Sequence, residues 1–248
     1  MYTATFTIYD DLNFFLSRKQ KNKPITHQWD WKASIKDMIE SLGVPHPEID
    51  LLLVNDVSVD FDYIMQDGDD VHVYPMPYYQ THPHDNKIQL IPEINDRSRF
   101  ILDTHLGRLA SYLRMMGFDT LYRNDYPDDE LAEVSNAEER ILLTRDVGLL
   151  KRSLVVHGYY VRNTNPRERL HEITERYNLA EQVEPFKFCL RCNGNLHEVD
   201  KADIIDQLPE RTAEFYDAFH QCDSCEQIFW KGSHYDRMEK LLNEVLEK

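Results

Sequence analysis

The chain has 248 residues, 42% hydrophobic and 29% charged, which suits one large or two to three small globular domains and not an extended disordered chain. No apolar run approaches the ~18–20 residues of a membrane span, and the start, MYTATFTIYDD, has neither a basic segment nor an apolar signal core, so a cytoplasmic location is expected. The formal net charge of −16 opposes nucleic-acid binding at first sight. It is unevenly spread: residues 1–77 carry 6 basic and 13 acidic groups, residues 183–248 carry 8 and 14, and residues 97–182 carry 13 and 14. Twelve of the thirteen cations in the middle stretch are arginines, the side chain suited to bidentate phosphate contacts, so that stretch can still hold a polyanion.

Residues 2–9 alternate, with Tyr2, Ala4, Phe6 and Ile8 on one face of a half-buried strand. After a polar, lysine-rich turn from Ser17 to Lys23, Thr26 to Trp31 supplies a second strand. Ala33 to Leu42 places Ile35, Met38, Ile39 and Leu42 at helical spacing, and Gly43 stops that helix. Leu51 to Val54, Val57 to Phe61 and Val71 to Tyr74 read as further strands. This order predicts a β-grasp domain over residues 1–77, and the pattern, QDGDDVHVYP above all, resembles the ubiquitin-like sulfur carriers of thiamine and molybdopterin synthesis. Such carriers need a flexible Gly-Gly terminus. Here the last strand runs into Pro75-Met76-Pro77, and no glycine occurs between Gly68 and Gly107. A docking or stabilising module facing a protein partner is therefore expected, with a sulfur-transfer accessory role as its rival. Residues 78–96 read as a linker, and its His82 and His84 as solvated surface.

Within a domain expected over residues 97–182, Phe100 to Arg152 repeats one pattern three times, a short apolar run followed by a helical period, with carboxylates at the junctions. Phe100-Ile101-Leu102 ends at Asp103; Thr120-Leu121-Tyr122 is followed by Asp125, Asp128 and Asp129; Ile141-Leu142-Leu143 leads through Thr144 and Arg145 to Asp146. Apolar runs alternating with helices indicate βαβ units and a parallel sheet, whose strand ends converge on one rim. Three acids there outline a Mg²⁺ or Mn²⁺ site, because hard divalent ions prefer carboxylate oxygen. Asp128 and Asp146 also stand where helix caps are wanted, whereas an acid ending a buried strand, as Asp103 does, costs desolvation unless a cation satisfies it. The first helix carries Leu106, Leu109, Ala110, Leu113 and Met116 and is closed by Gly117; Arg108 and Arg114 fall off that stripe, and Arg108 can face the rim. Arg108, Arg145 and Lys151 are the candidate phosphate contacts. Asn165-Pro166 starts a later helix as N-cap and first residue.

The four cysteines form two CxxC pairs, Cys189/Cys192 and Cys222/Cys225, with 29 residues between the pairs. Two such knuckles grip one tetrahedral ion, so a closed, structural Zn²⁺ site is expected over residues 183–248, with Gly194 letting the backbone fold under the sulfurs. Phe229-Trp230-Lys231-Gly232-Ser233-His234-Tyr235 mixes aromatic and basic residues just after the second knuckle. Trp230 and His234 can contact single-stranded bases, or Phe229 and Trp230 can simply form the small core of a ribbon. Met238, Leu241, Leu242 and Val245 then fall at helical spacing in a tail that can dock back onto the body.

The blocks DTHLGRLASYLRMMGFDTLY, RILLTRDVGLLKR and GYYVRNTNPRERL resemble the Mut-7 C-terminal RNase family, a branch of the PIN-like nucleases that also recurs beside an N-terminal β-grasp and a C-terminal cysteine module. The resemblance implies a PIN-like parallel-sheet α/β/α domain between a ubiquitin-like β-grasp domain and a zinc ribbon, and metal-dependent cleavage of RNA. It implies metal-holding acids at Asp103, Asp128 and Asp146, with Asp125 or Asp129 as further acids. A non-catalytic module of the same fold, binding RNA, ribosome or protein, is the rival.

Overall fold

The computed structural model describes residues 1–76, 87–94, 96 and 98–246, apart from the side chains of His234, Arg237, Leu241, Val245 and Leu246; His82 and His84 lie outside the described residues. The first elements are β1 (Tyr2–Ile8), β2 (Ile25–Trp29), α1 (Ile35–Ser41), β3 (Ile49–Val54), β4 (Val57–Ser58) and β5 (Asp70–Pro75). Next come β6 (Phe100–Leu102), α2 (Gly107–Met115), β7 (Thr120–Tyr122), α3 (Asp128–Ala137), β8 (Ile141–Thr144), α4 (Val147–Leu150), β9 (Gly158–Tyr160) and α5 (Pro166–Tyr177). The chain ends with β10 (Leu196–Val199), α6 (Lys201–Ile204), α7 (Glu210–Phe215), β11 (Phe219–Cys222), β12 (Ile228–Trp230) and α8 (Ser233–Leu246). The fold class is mixed α/β, with parallel strands in the middle of the chain.

Two compact units divide the chain: Met1–Asn95 with Asp128–Tyr160, and Asp96–Pro127 with Val161–Lys248. Of the segment expected from sequence as a middle domain (97–182, between 1–77 with the linker 78–96 and 183–248), residues 128–160 cluster with the first unit and the remainder with the second.

In the first unit a five-stranded sheet runs β2-β1-β5-β3-β4. β1 is antiparallel to β2 and parallel to β5, which is antiparallel to β3. Ala4, Phe6 and Ile8 point inward from β1, as the alternation requires, and meet Ile35, Met38 and Ile39 of α1 in one core. The helix starts at Ile35 because Ser34 forms a capping box: Ser34 Oγ accepts from Asp37 N at 3.1 Å and Asp37 Oδ2 accepts from Ser34 N at 3.3 Å. The strand expected over Val57 to Phe61 ends at Ser58, since Asp60 Oδ1 accepts from Asp62 N at 3.0 Å and folds the chain into a turn.

The same unit holds the parallel pair β8–β9, with Leu142 opposite Gly158 and Thr144 opposite Tyr160. Side chains of the β-grasp domain secure it. Glu48, almost fully buried, accepts from Tyr160 N at 2.7 Å through Oε1. His46 bridges Glu40 Oε1 at 2.7 Å and Val155 O at 2.9 Å, and Phe14 and Phe15 pack on the Tyr160 ring.

In the second unit β6 and β7 pair in parallel, Phe100 opposite Thr120 and Leu102 opposite Tyr122. α2 buries Leu109, Ala110 and Leu113, and α5, capped by Asn165 through Arg167 N, buries Leu170 and Ile173. Gly117 ends α2 at φ +93, where a Cβ would lie 2.1 Å from Glu184 O, so only glycine fits. β10-β11-β12 form an antiparallel sheet over a small core of Ile204, Phe219 and Ile228. α8 meets α5 through Arg167 and Glu244 (3.2 Å) and buries Leu242, as the tail's spacing leads one to expect.

Candidate functional site

Asp103 follows β6, whose three residues are fully buried, and is itself only 6% exposed. Its backbone carbonyl accepts from Leu106 N at 2.9 Å, which turns the chain toward α2, and its Oδ1 accepts from Thr104 Oγ1 at 3.1 Å. Beside it, at the end of β7, the Tyr122 hydroxyl donates to Thr104 O at 2.9 Å. Burial pushes the Tyr122 phenol up, and the charge of Asp103 adds to that shift.

Asp128, Asp129 and Asp146 belong to the first unit, and Asp125 to the second. Asp146 is the N-cap of α4: its Oδ1 accepts from Gly148 N at 2.6 Å and Leu149 N at 3.3 Å. Asp128 is the first residue of α3 and not its cap, and it faces Arg152 at 3.9 Å. Asp129 pairs with the same guanidinium at 2.8 Å, and Asp125 pairs with Arg123 at 3.2 Å. Acids in the first turn of α3 also suit the positive end of the helix. Of the candidate phosphate contacts, Arg108 is exposed and Arg145 lies over the Tyr160 ring at 5.6 Å. Lys151 donates from Nζ to Glu40 O at 2.5 Å, which gives it a structural task.

Among the described residues, the four cysteines are the only group of three or more His, Cys, Asp or Glu side chains near enough to share an ion; the carboxylates make no group of that kind. The four Sγ atoms lie within 4.8 Å of one another, with Cys189–Cys225 at 3.6 Å and Cys192–Cys222 at 3.5 Å. A tetrahedral zinc ion with Zn–S bonds of about 2.3 Å needs edges of about 3.8 Å, so donor type and spacing both fit. The two knuckles are built alike. Cys189 N donates to Gly194 O at 2.8 Å and Cys222 N to Gln227 O at 3.1 Å. Asn193 N and Glu226 N close the turns onto the Cys189 and Cys222 carbonyls, both residues lying in the left-handed region. A Cβ on Gly194 would lie 2.5 Å from Ser224 Oγ and 2.9 Å from Cys222 Sγ, so the expected role of that glycine is met.

A family model described as the Mut7-C RNAse domain matches residues 98–242, more than half of the chain. The chain belongs to the Mut7-C RNAse domain family. A second model, described as Mut7-C ubiquitin, matches residues 1–80 and covers the five-stranded sheet with α1. Neither the curated proteins nor the solved structures gave a match.

The Mut7-C match runs unbroken from β6 through both knuckles, and side chains tie those parts together. Arg114, which falls off the apolar stripe of α2, is nevertheless only 4% exposed. Its Nε donates to Thr120 O at 2.8 Å and its Nη1 to Leu190 O and Arg191 O, each at 3.2 Å. Burial lowers its pKa, against the pull of Cys189, Cys192, Asp119 and Tyr126. Asn193 accepts from Thr120 N at 2.8 Å and donates to Asp119 Oδ1 at 2.6 Å. Sequence reasoning missed both residues; the Asn-Gly step after Cys192 was the one local hint.

Burial raises the Cys189 thiol to about 12, with the Cys192 and Arg191 amides working against it. At Cys222 burial also raises the value, but the Cys225 and Ser224 amides and the neighbouring thiols outweigh it and hold it at about 7. Metal binding must therefore expel protons. A cavity of about 530 Å³ opens between the ribbon and α8, lined by Phe186, Tyr216, Trp230 and Tyr235 among others, with Arg114, Thr212, Gln227 and Ser233 among its polar residues. Lys231 Nζ lies 5.7 Å from the Phe186 ring and 5.4 Å from the Tyr235 ring. Trp230 also packs on the ribbon core, the second of the two roles open to it from sequence.

Proposed function

We propose that this protein is a metal-dependent ribonuclease with a structural zinc centre at Cys189, Cys192, Cys222 and Cys225. The observation that carries the reading is the Mut7-C RNAse match over residues 98–242, with a buried carboxylate, Asp103, at the end of its first strand. Asp103, Asp128 and Asp146 are the acids that would hold Mg²⁺ or Mn²⁺, with Asp125 and Asp129 as nearby acids in the sequence; their oxygen donors suit a hard divalent ion, which would have to gather side chains that make no ready-formed group. Such an ion, when bound, activates water and offsets charge on a phosphodiester. Arg108 and Arg145 would orient phosphate, while Lys151 serves by holding its own element in place.

The aromatic cavity would receive an unpaired base, because rings of any sequence stack on such walls, and Lys231 would meet the adjoining phosphate. His234 belongs to the same stretch, but its side chain lies outside the described residues. No helix among the described residues is long and apolar enough to cross a membrane, and a four-thiol centre suits a reducing, cytoplasmic compartment. The ubiquitin-like domain is read as a module for protein contact. A second reading, RNA binding without cleavage, is favoured by the engagement of Asp146 Oδ1 as a helix cap.

The deciding experiment incubates zinc-loaded full-length protein with labelled single-stranded RNA in Mn²⁺ or in EDTA. Cleavage that needs Mn²⁺ and falls at least a hundredfold in Asp103→Asn, with an unchanged circular dichroism spectrum, is expected. Binding without cleavage in every condition would leave the binding module.

A further inference from the structure

We infer that the four-cysteine knuckle and the Asp103 strand end are one coupled device, with Asn193 as the positioning residue between them. The inference rests in part on the ribonuclease reading, since Asp103 is its central residue, but the coupling can be measured without cleavage.

The connection starts at the metal ligands. Asn193 follows Cys192 directly and is held at φ +69 by the knuckle turn, its own N–H bonded to Cys189 O at 2.9 Å. Its amide oxygen accepts from Thr120 N and its amide nitrogen donates to Asp119 Oδ1, so it grips the two residues where β7 begins. Asp119 O in turn accepts from Phe100 N at 2.8 Å, which fixes β6 against β7. From the other side Arg114 bonds Thr120 O together with the carbonyls of Leu190 and Arg191, inside the first CxxC. Three residues set the whole length of β7, and its last, Tyr122, holds the Thr104 carbonyl next to Asp103. A strand this short has no spare pairing with which to absorb a shift at its start. Displacement of the knuckle therefore reaches the carboxylate through β7, and filling the knuckle with metal fixes where that carboxylate sits.

The test exchanges donor and acceptor. Asn193→Asp keeps the acceptor for Thr120 N but sets a carboxylate against Asp119, where an amide now donates at 2.6 Å. Asp119→Asn combined with Asn193→Asp restores an amide–carboxylate pair in the opposite sense. Asn193→Gly keeps the left-handed backbone and removes the amide, which covers the case in which the aspartate does not fold. Three quantities are read on full-length, zinc-loaded protein: zinc release to a chromogenic chelator, amide exchange over Thr120–Tyr122, and Mn²⁺-dependent RNA cleavage.

Asn193→Asp and Asn193→Gly should release zinc about tenfold faster and lose protection over β7, and the double variant should recover most of both. Cleavage should follow the same order through kcat, with KM little changed. Wild-type zinc release and β7 protection in both single variants would overturn the coupling, as would a double variant no better than Asn193→Asp. Zinc and exchange effects that appear and reverse while no protein cleaves RNA, wild type included, would keep the coupling and remove the ribonuclease reading.

Discussion

Asp146 shows how one side chain can be split between two explanations. Its Oδ1 serves the amides of Gly148 and Leu149, so part of the residue is explained by α4 alone. Asparagine caps a helix about as well as aspartate but carries no charge, whereas alanine does neither. Asp146→Ala should cost about 1 kcal/mol in urea unfolding and Asp146→Asn little. If Asp146 also serves the metal, both variants lose Mn²⁺-dependent cleavage; an Asn variant that cleaves like wild type would reduce Asp146 to a cap. Arg114 teaches the converse. A cation that falls off an apolar helical stripe reads as solvated, yet here three carbonyls, two of them from residues more than 70 positions away, make burial tolerable.

Elements were legible wherever the information was local. Alternation in β1, the apolar face of α1, the Asn165-Pro166 start of α5 and the CxxC spacing each depend on residues a few positions apart. Less was visible where a polar side chain redirects the backbone, as Asp60 does after β4 or Asn13 does by donating to Ile8 O within the short helix Asp10–Phe15. The acids are intermediate: the strands they follow were found, but a partner such as Arg152 for Asp129, 23 positions away, was not predictable from spacing.

For the ribbon, Ile204, Phe219 and Ile228 are too small a core to hold three strands unaided. Stripping the metal should therefore expose the amides of Phe219–Trp230 to exchange while those of β1 stay protected. Gly194→Ala should weaken zinc binding about tenfold or more, read by chelator competition, because its methyl group would meet Ser224 and Cys222. A ribbon that keeps its protection without metal would mean that the cysteines are incidental to it.

At the scale of the whole molecule, the ubiquitin-like domain shares one compact unit with Asp128–Tyr160. Removing residues 1–77 takes away the acceptor for Tyr160 N, the donor to Val155 O and the rings over Tyr160. The shortened chain should show faster exchange and proteolysis across Ile141–Tyr160 with its zinc content intact; unchanged protection there would return the domain to the status of a tethered module. These pairings join residues more than 100 positions apart, which is why the sequence suggested docking but not what would be docked.

The interleaving of the units also has a bearing on biosynthesis. When Thr120 leaves the ribosome, the asparagine that will receive its amide lies 73 residues behind, about 4–15 s away at ~5–20 residues per second. Over that interval Arg114 has none of its knuckle carbonyls, and the nascent strands must stay soluble without them. A nonsense codon just ahead of Cys189 would thus release a chain whose β6 and β7 lack their knuckle partners, a natural client for chaperones.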